Sequence, residues 1–307
     1  MELIDLMRAM CLIPALSGHE ELMIKYLTTV LEPISNQVRV DTAGNVIARI
    51  DGTDPQAPKV MVFAHQDQLG LVVCKVTAEG FILVERLGGV PEKVLPGLRV
   101  NIQTEEGTIV PGVIGIKAHH ATPAEEKYRV TPYQELYIDI GVSSASEVYA
   151  LGIQIGCPVV YEPAFQVLQG GRIAATSLDD RAGCAVLVKL AEQFFTQPPV
   201  ATVYIVGTVQ EEFNLRGAQL AAAAIQPDLA IALDVMVAGD TPDLKDRLEL
   251  KLGGGPAIGM YSFHGRGTLN GTIPHPRLVG LAKTAAAREG LTLQRNAMVG
   301  LLTDSAY

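Results

Sequence analysis

Lys59-Val60-Met61-Val62-Phe63-Ala64-His65-Gln66-Asp67 is the stretch that decides the fold. A short apolar run of this kind reads as a strand buried on both faces, where no polar alternation is needed. The run breaks off abruptly into a histidine, an amide and a carboxylate. Three other segments repeat the pattern. Ile173-Ala174-Ala175-Thr176-Ser177-Leu178 ends in Asp179-Asp180-Arg181. Ala201-Thr202-Val203-Tyr204-Ile205-Val206-Gly207-Thr208-Val209 ends in Gln210-Glu211-Glu212. Leu229-Ala230-Ile231-Ala232-Leu233 ends in Asp234. Each is expected to be a strand. In open α/β sheets, ligands bind beyond the carboxyl ends of the strands. One histidine and several carboxylates are therefore expected to meet at one sheet edge, as the donor set of a metal site.

Composition bounds the rest. A chain of 307 residues holds one large domain or two modest ones. Hydrophobic residues at 48% and charged residues at 19% supply a core and exclude a disordered chain. A net charge of -9, with no cluster of lysine or arginine, argues against nucleic-acid binding. No apolar run reaches the length of a membrane span, and no signal-peptide pattern opens the chain. The cysteines, Cys11, Cys74, Cys157 and Cys184, are far apart and form no Cys-x-x-Cys pair. They read as buried thiols in a reducing cytoplasm.

Helical spacing is visible over Leu3–Met10 and Glu20–Leu31, and Ser17-Gly18-His19-Glu20 looks like a capping start for the second helix. Val38–Asp41 and Val46–Ile50 read as strands around the turn Thr42-Ala43-Gly44-Asn45. From about Leu69 to Pro163 the texture changes to short alternating runs broken by glycine and proline, the mark of an all-β module. Helical patterns return at Ala182–Phe195, Gly217–Ile225 and Arg277–Arg288, alternating with strands. The expected fold is α/β: a three-layer catalytic domain with a mixed central sheet, residues 1–68 and 164–307, interrupted by a β-barrel-like insert, residues 69–163. Gly253-Gly254-Gly255 lacks the following Lys-Ser/Thr of a phosphate loop and reads as a turn.

Each motif has a plain structural reading beside the chemical one. His65 and Asp67, two residues apart on an extended chain, point the same way, so a carboxylate can orient an imidazole ligand. A lone His-x-Asp is otherwise an ordinary core pair. Asp179 and Asp180 at a helix start serve equally as caps. Glu211-Glu212 is either a solvated loop or a ligand beside a proton acceptor. Asp234 is a turn residue or a ligand. Their joint occurrence at strand ends favours the chemical reading.

Taken in order, Ala64-His65-Gln66-Asp67, Leu178-Asp179-Asp180-Arg181, Glu211-Glu212-Phe213-Asn214-Leu215-Arg216-Gly217-Ala218 and Leu233-Asp234-Val235 closely resemble the TET-type metallo-aminopeptidases, the family of glutamyl and deblocking aminopeptidases. The resemblance runs from the first helix to the last residues. It implies two divalent metal ions per subunit, zinc or cobalt foremost and manganese as a further option. By position Asp179 is similar to the bridging ligand, with His65 and Asp234 completing one site and Glu212 the other. Glu211 is implied as the general base, and Asp67 as the brace of His65. Peptides are the implied substrates. The insert is implied to join protomers into a homo-oligomer, commonly a dodecamer.

Two departures stand out. The family carries a further histidine ligand well beyond its Thr-Asp segment, whereas Thr303-Asp304-Ser305-Ala306 is followed here only by Tyr307, so the chain is expected to lack the C-terminal end. His264 and His275 do not match that position and read as loop or helix-flank residues. Gln68 stands where the family has glutamate, and an amide carries no charge. Two rival functions follow: a catalytically impaired scaffold, and a glycoside hydrolase working by paired carboxylates. The second fits poorly with a chain that has no Trp and 5% aromatic residues for sugar stacking.

Overall fold

A computed structural model of the chain describes residues 1–264 and 270–306. The first half begins with helices α1 (Leu3–Cys11) and α2 (Glu21–Leu31) and strands β1 (Gln37–Val40), β2 (Val46–Ile50) and β3 (Val60–His65). Strands β4 (Gly70–Val76), β5 (Ile82–Leu87), β6 (Arg99–Gln103), β7 (Ile109–Gly115) and β8 (Tyr137–Asp139), helix α3 (Ala145–Ala150) and strand β9 (Pro158–Tyr161) come next. Hairpin β10 (Phe165–Val167) and β11 (Ile173–Ala175) then leads into α4 (Leu178–Thr196), β12 (Val203–Thr208), α5 (Glu211–Asn214), α6 (Arg216–Ile225) and β13 (Leu229–Ala232). The C-terminal part holds β14 (Ala257–His264), β15 (Asn270–Thr272), α7 (Pro276–Arg288) and β16 (Gln294–Val299).

The central sheet is mixed, in the order β1-β2-β12-β3-β13. Strands β12, β3 and β13 run parallel, while β1 and β2 are antiparallel additions. Alternation along β3 explains the layers. Val62 and Ala64 face α1, α2 and α4 in one core, whereas Met61 and Phe63 face α6 on the other side. Helices thus cover both faces, and β3 has no wet side to mark with polar residues. Each fully buried leucine, isoleucine or phenylalanine here contributes about 1.5–3 kcal/mol, which fixes the register of the strand. Helix α4 packs on β3 with Cys184, Ala185, Leu187, Val188 and Ala191 in the core that Val62 and Ala64 enter, where small residues admit close approach.

The insert is a closed six-strand barrel in the order β4-β5-β8-β7-β6-β9. Its core, including Leu71, Val73, Ile82, Val100, Ile102, Ile138 and Val159, is separate from the cores of the central sheet. Besides the two-stranded β10-β11 hairpin, a small three-stranded sheet has the order β15-β14-β16.

Three local expectations are corrected. The segment before Asp179 is not a strand of the central sheet: among the described residues β11 pairs with β10 alone, and Asp179 lies in the first turn of α4. The strand is three residues long, and its two alanines bring little apolar surface to a buried sheet position. Ser17 does not cap α2 with Glu20: the helix starts after Glu20 with no side-chain cap, and the Ser17 hydroxyl is buried without a partner. His264 ends strand β14 rather than lying in a loop. His275 does flank a helix, capping α7 through the N–H of Arg277. No helix among the described residues is long and apolar enough to cross a membrane.

Candidate metal centre

Parallel register brings the motifs together. His65 is the last residue of β3 and pairs with Thr208 of β12, three residues before Glu211. On the other side Ala232 pairs with Phe63, and Asp234 follows two residues on. Asp179 arrives from the opening turn of α4, and the peptide bond that follows it, to Asp180, is cis. His65, Asp179 and Asp234 each offer a ligand atom, and these atoms all lie within 4.8 Å of one another. His65 Nε2 is 3.0 Å from Asp179 Oδ1, and its Nδ1 is 3.4 Å from Asp67 Oδ1. His65 is 2% exposed while the Asp179 side chain is 55% exposed, so the cluster opens to solvent on the Asp179 side.

Asp67 is fully buried and does two jobs. Besides facing His65, its Oδ1 accepts the N–H of Glu211 and its Oδ2 the N–H of Glu212, both at 3.1 Å. Although burial alone raises its pKa, hydrogen bonding to His65 and these N–H donors hold it below the usual value. Gln210, just before, is left-handed with φ 56°, as is Ser177 with φ 58° before Asp179. Such a conformation costs a non-glycine residue about 1–2 kcal/mol, so surrounding bonds must hold it.

Several supports were invisible in sequence. Asn45 is fully buried; its amide donates to Asp41 Oδ2 at 2.8 Å and the Gly217 carbonyl at 3.0 Å, and its oxygen accepts the N–H of Val209 at 3.1 Å. It ties both ends of the Glu-Glu turn. Gly217 is required there, because a Cβ would stand 2.1 Å from the Val209 carbonyl oxygen. Arg181 is wholly buried and donates to the Gln66 carbonyl, pinning the backbone between His65 and Asp67. Thr208 donates to Asp304 at 2.5 Å, bringing a further buried carboxylate from the end of the chain. The one available signal was the Thr303-Asp304 pair itself. Gln68 accepts the N–H of Ala15 at 3.1 Å, so its uncharged amide serves as a structural latch.

The electrostatics ask for cations. Burial, reinforced by Asp304, Asp234 and Asp67 and opposed by His65, pushes Glu211 up to about 9. Burial also raises Glu212 and Asp234 to about 7 each, with Asp179 adding to both. Burial works against charging His65, but Asp179 and Asp67 outweigh it and raise its pKa well above the ordinary value. Buried carboxylates crowded around one imidazole are stable as anions only beside positive charge. An imidazole nitrogen and carboxylate oxygens so close together suit a divalent cation in both ligand type and charge. Glu212 is outside the tight trio, although its Oε2 would lie 3.1 Å from a Cβ placed on Gly88 of the barrel.

Fold and site define a class: a cation-suited α/β protein with its acidic site at the carboxyl edge of a barrel-interrupted mixed sheet. Residues 44–307 match the family described as M42 glutamyl aminopeptidase, and the chain belongs to that family of metallo-aminopeptidases. It is accordingly a peptide hydrolase. The chain is 35% identical over 256 residues to lysyl aminopeptidase of Pyrococcus furiosus, covering 83% of this chain and 72% of that one. Aminopeptidase APDkam598 of the archaeon Desulfurococcus kamchatkensis matches with a TM-score of 0.91 at 32% identity, covering 99% of this chain and 82% of the other. The Pyrococcus horikoshii TET1 peptidase, which can assemble into a tetrahedron or a large octahedral shell, gives 0.84 at 28% identity, covering 100% and 87%.

Proposed function

We propose that this protein is an aminopeptidase that releases residues from the N-termini of peptides with two divalent ions. The observation that carries the reading is the cluster of His65, Asp179 and Asp234 within 4.8 Å, with Glu211 and Glu212 on the adjoining turn. His65, Asp179 and Asp234 would hold one ion, and Asp179 with Glu212 the other. When bound, such ions acidify water and polarise a peptide carbonyl. Glu211 is the general base: its carboxylate takes a proton from the attacking water and delivers it to the leaving amine. Asp67 orients His65 and aims the Glu-Glu turn. The acidic surroundings favour a free N-terminal ammonium, which fits release of one residue at a time.

Residues 1–68 and 164–307 form the catalytic unit in this reading, and 69–163 an insert for assembly into a homo-oligomer, a dodecamer by analogy with the shell-forming TET1 peptidase. Zinc or cobalt suits the nitrogen-and-oxygen donors, and manganese is acceptable. Four unpaired cysteines suit a reducing cytoplasm. Nothing favours the scaffold or glycoside hydrolase readings over membership in a peptidase family.

The test is Glu211→Gln. It should retain bound metal but lower kcat roughly 10²–10⁴-fold, while a chelator abolishes wild-type turnover and zinc or cobalt restores it. Full turnover in the variant rejects the assigned base.

A further inference from the structure

Glu20 has no part in the chemistry above, and it does not cap the helix it precedes. Instead it is 4% exposed, with Oε1 accepting the N–H of Gly18 at 2.8 Å and of Gln210 at 3.1 Å. Burial pushes its pKa up to about 7, against the pull of those donors, so placing it there is not free. A carboxylate at the start of a helix would sit comfortably in water. Its burial therefore asks for a reason on the far side of the contact.

That far side is the turn that aims the base. Gln210 is left-handed, with φ 56° and ψ 34°, and links β12 to α5. Three consecutive N–H groups of this turn are held by two buried carboxylates from elsewhere in the chain. Gln210 donates to Glu20, Glu211 to Asp67 Oδ1, and Glu212 to Asp67 Oδ2. Asp67 holds the two glutamates themselves, while Glu20 holds the residue whose φ and ψ set the direction in which the Glu211 side chain leaves the backbone.

We propose that Glu20 is a positioning residue for Glu211, fixing the Gln210 turn by accepting its N–H. The proposal rests on Glu211 being the base. Glu20 acts as an acceptor, so an amide at the same place serves and an apolar side chain does not.

Three variants test this: Glu20→Ala, Glu20→Gln and Glu211→Gln, assayed well below their melting temperatures on a panel of aminoacyl p-nitroanilides. Glu20→Ala should lower kcat roughly tenfold to a hundredfold, the scale of a misaimed catalytic group. KM and bound metal should stay within about twofold, because the base acts only on the way to the transition state. Glu20→Gln should restore kcat to within about threefold of wild type, a rescue that loss of stability alone does not produce. In metal-free protein, hydrogen exchange in the peptide spanning 208–217 should quicken in the alanine variant and return to the wild-type rate in the glutamine one. If the alanine variant does not fold, Glu20→Met replaces it, filling the space without an acceptor. Combining Glu20→Ala with Glu211→Gln should cost no more than Glu211→Gln alone. With Glu211→Gln inactive, a Glu20→Ala kcat within about twofold of wild type overturns the proposal. So do equal losses in the alanine and glutamine variants. Full activity in Glu211→Gln overturns the assigned base instead, and the two failures are told apart.

Discussion

Asp67→Asn separates the two oxygens of one buried side chain. In the native site Oδ1 faces His65 Nδ1 and accepts the Glu211 N–H, while Oδ2 accepts the Glu212 N–H. An amide has one oxygen. With that oxygen at the Oδ1 place, the NH₂ group meets the Glu212 N–H, donor against donor, with no water to intervene. An orphaned buried donor costs about 1–3 kcal/mol, and the surviving bond to Glu211 loses about 1 kcal/mol on passing from a charged to a neutral acceptor. The expected loss is about 2–4 kcal/mol, a large share of a typical total of roughly 5–15 kcal/mol. The assay is urea unfolding of metal-free protein near neutral pH. Asp67 also has a folded pKa lowered from 3.8. Its stabilisation is therefore present above about pH 4 and is lost as pH falls through the lower folded value. The Asn variant should lack that acid limb. A loss below about 1 kcal/mol, or an unchanged acid limb, would refute the reasoning that Asp67 clamps the turn as an anion.

Three further outcomes are expected. Glu211, Glu212 and Asp234 have pKa values raised from 4.5, 4.5 and 3.8 to about 9, 7 and 7, so their part in stability is full below the unfolded values and is lost as pH rises from there to the folded ones. The Tm of metal-free protein should fall between about pH 4.5 and 9, most steeply below about pH 7 where all three groups contribute, and added zinc or cobalt should flatten the fall; a rising Tm contradicts it. Gly88→Ala combines φ +83° with a Cβ 2.8 Å from Leu69 Cβ and 3.1 Å from Glu212 Oε2. It should lower Tm more than Gly141→Ala, which has φ +83° and nothing within 4 Å, and should weaken metal uptake in a titration. Asn45→Ala orphans the Val209 N–H and the Gly217 carbonyl and should cost about 2–6 kcal/mol in chemical unfolding, the sum of two unmade buried hydrogen bonds.

What the sequence by itself determined is local and periodic. Unbroken apolar runs marked β3 and β12 as covered on both faces, and helical spacing marked α2, α4 and α6. The polar residues at the run ends marked the sheet edge, because a parallel strand must leave its core somewhere and the acids collect where it does. The texture change after Leu69 marked the barrel, since closed antiparallel strands need turns at short intervals. The tertiary structure alone decided that the run before Asp179 belongs to a detached hairpin, for β10 and β11 are too short to signal which sheet they join. It alone matched Glu20 to Gln210, which lie 190 residues apart, and Asn45 to Val209, 164 apart. It also matched Thr208 to Asp304, 96 apart. A hydrogen bond between distant residues leaves no period in the chain. It exists only once packing has brought a buried acceptor to a buried donor and removed the water that would otherwise satisfy both.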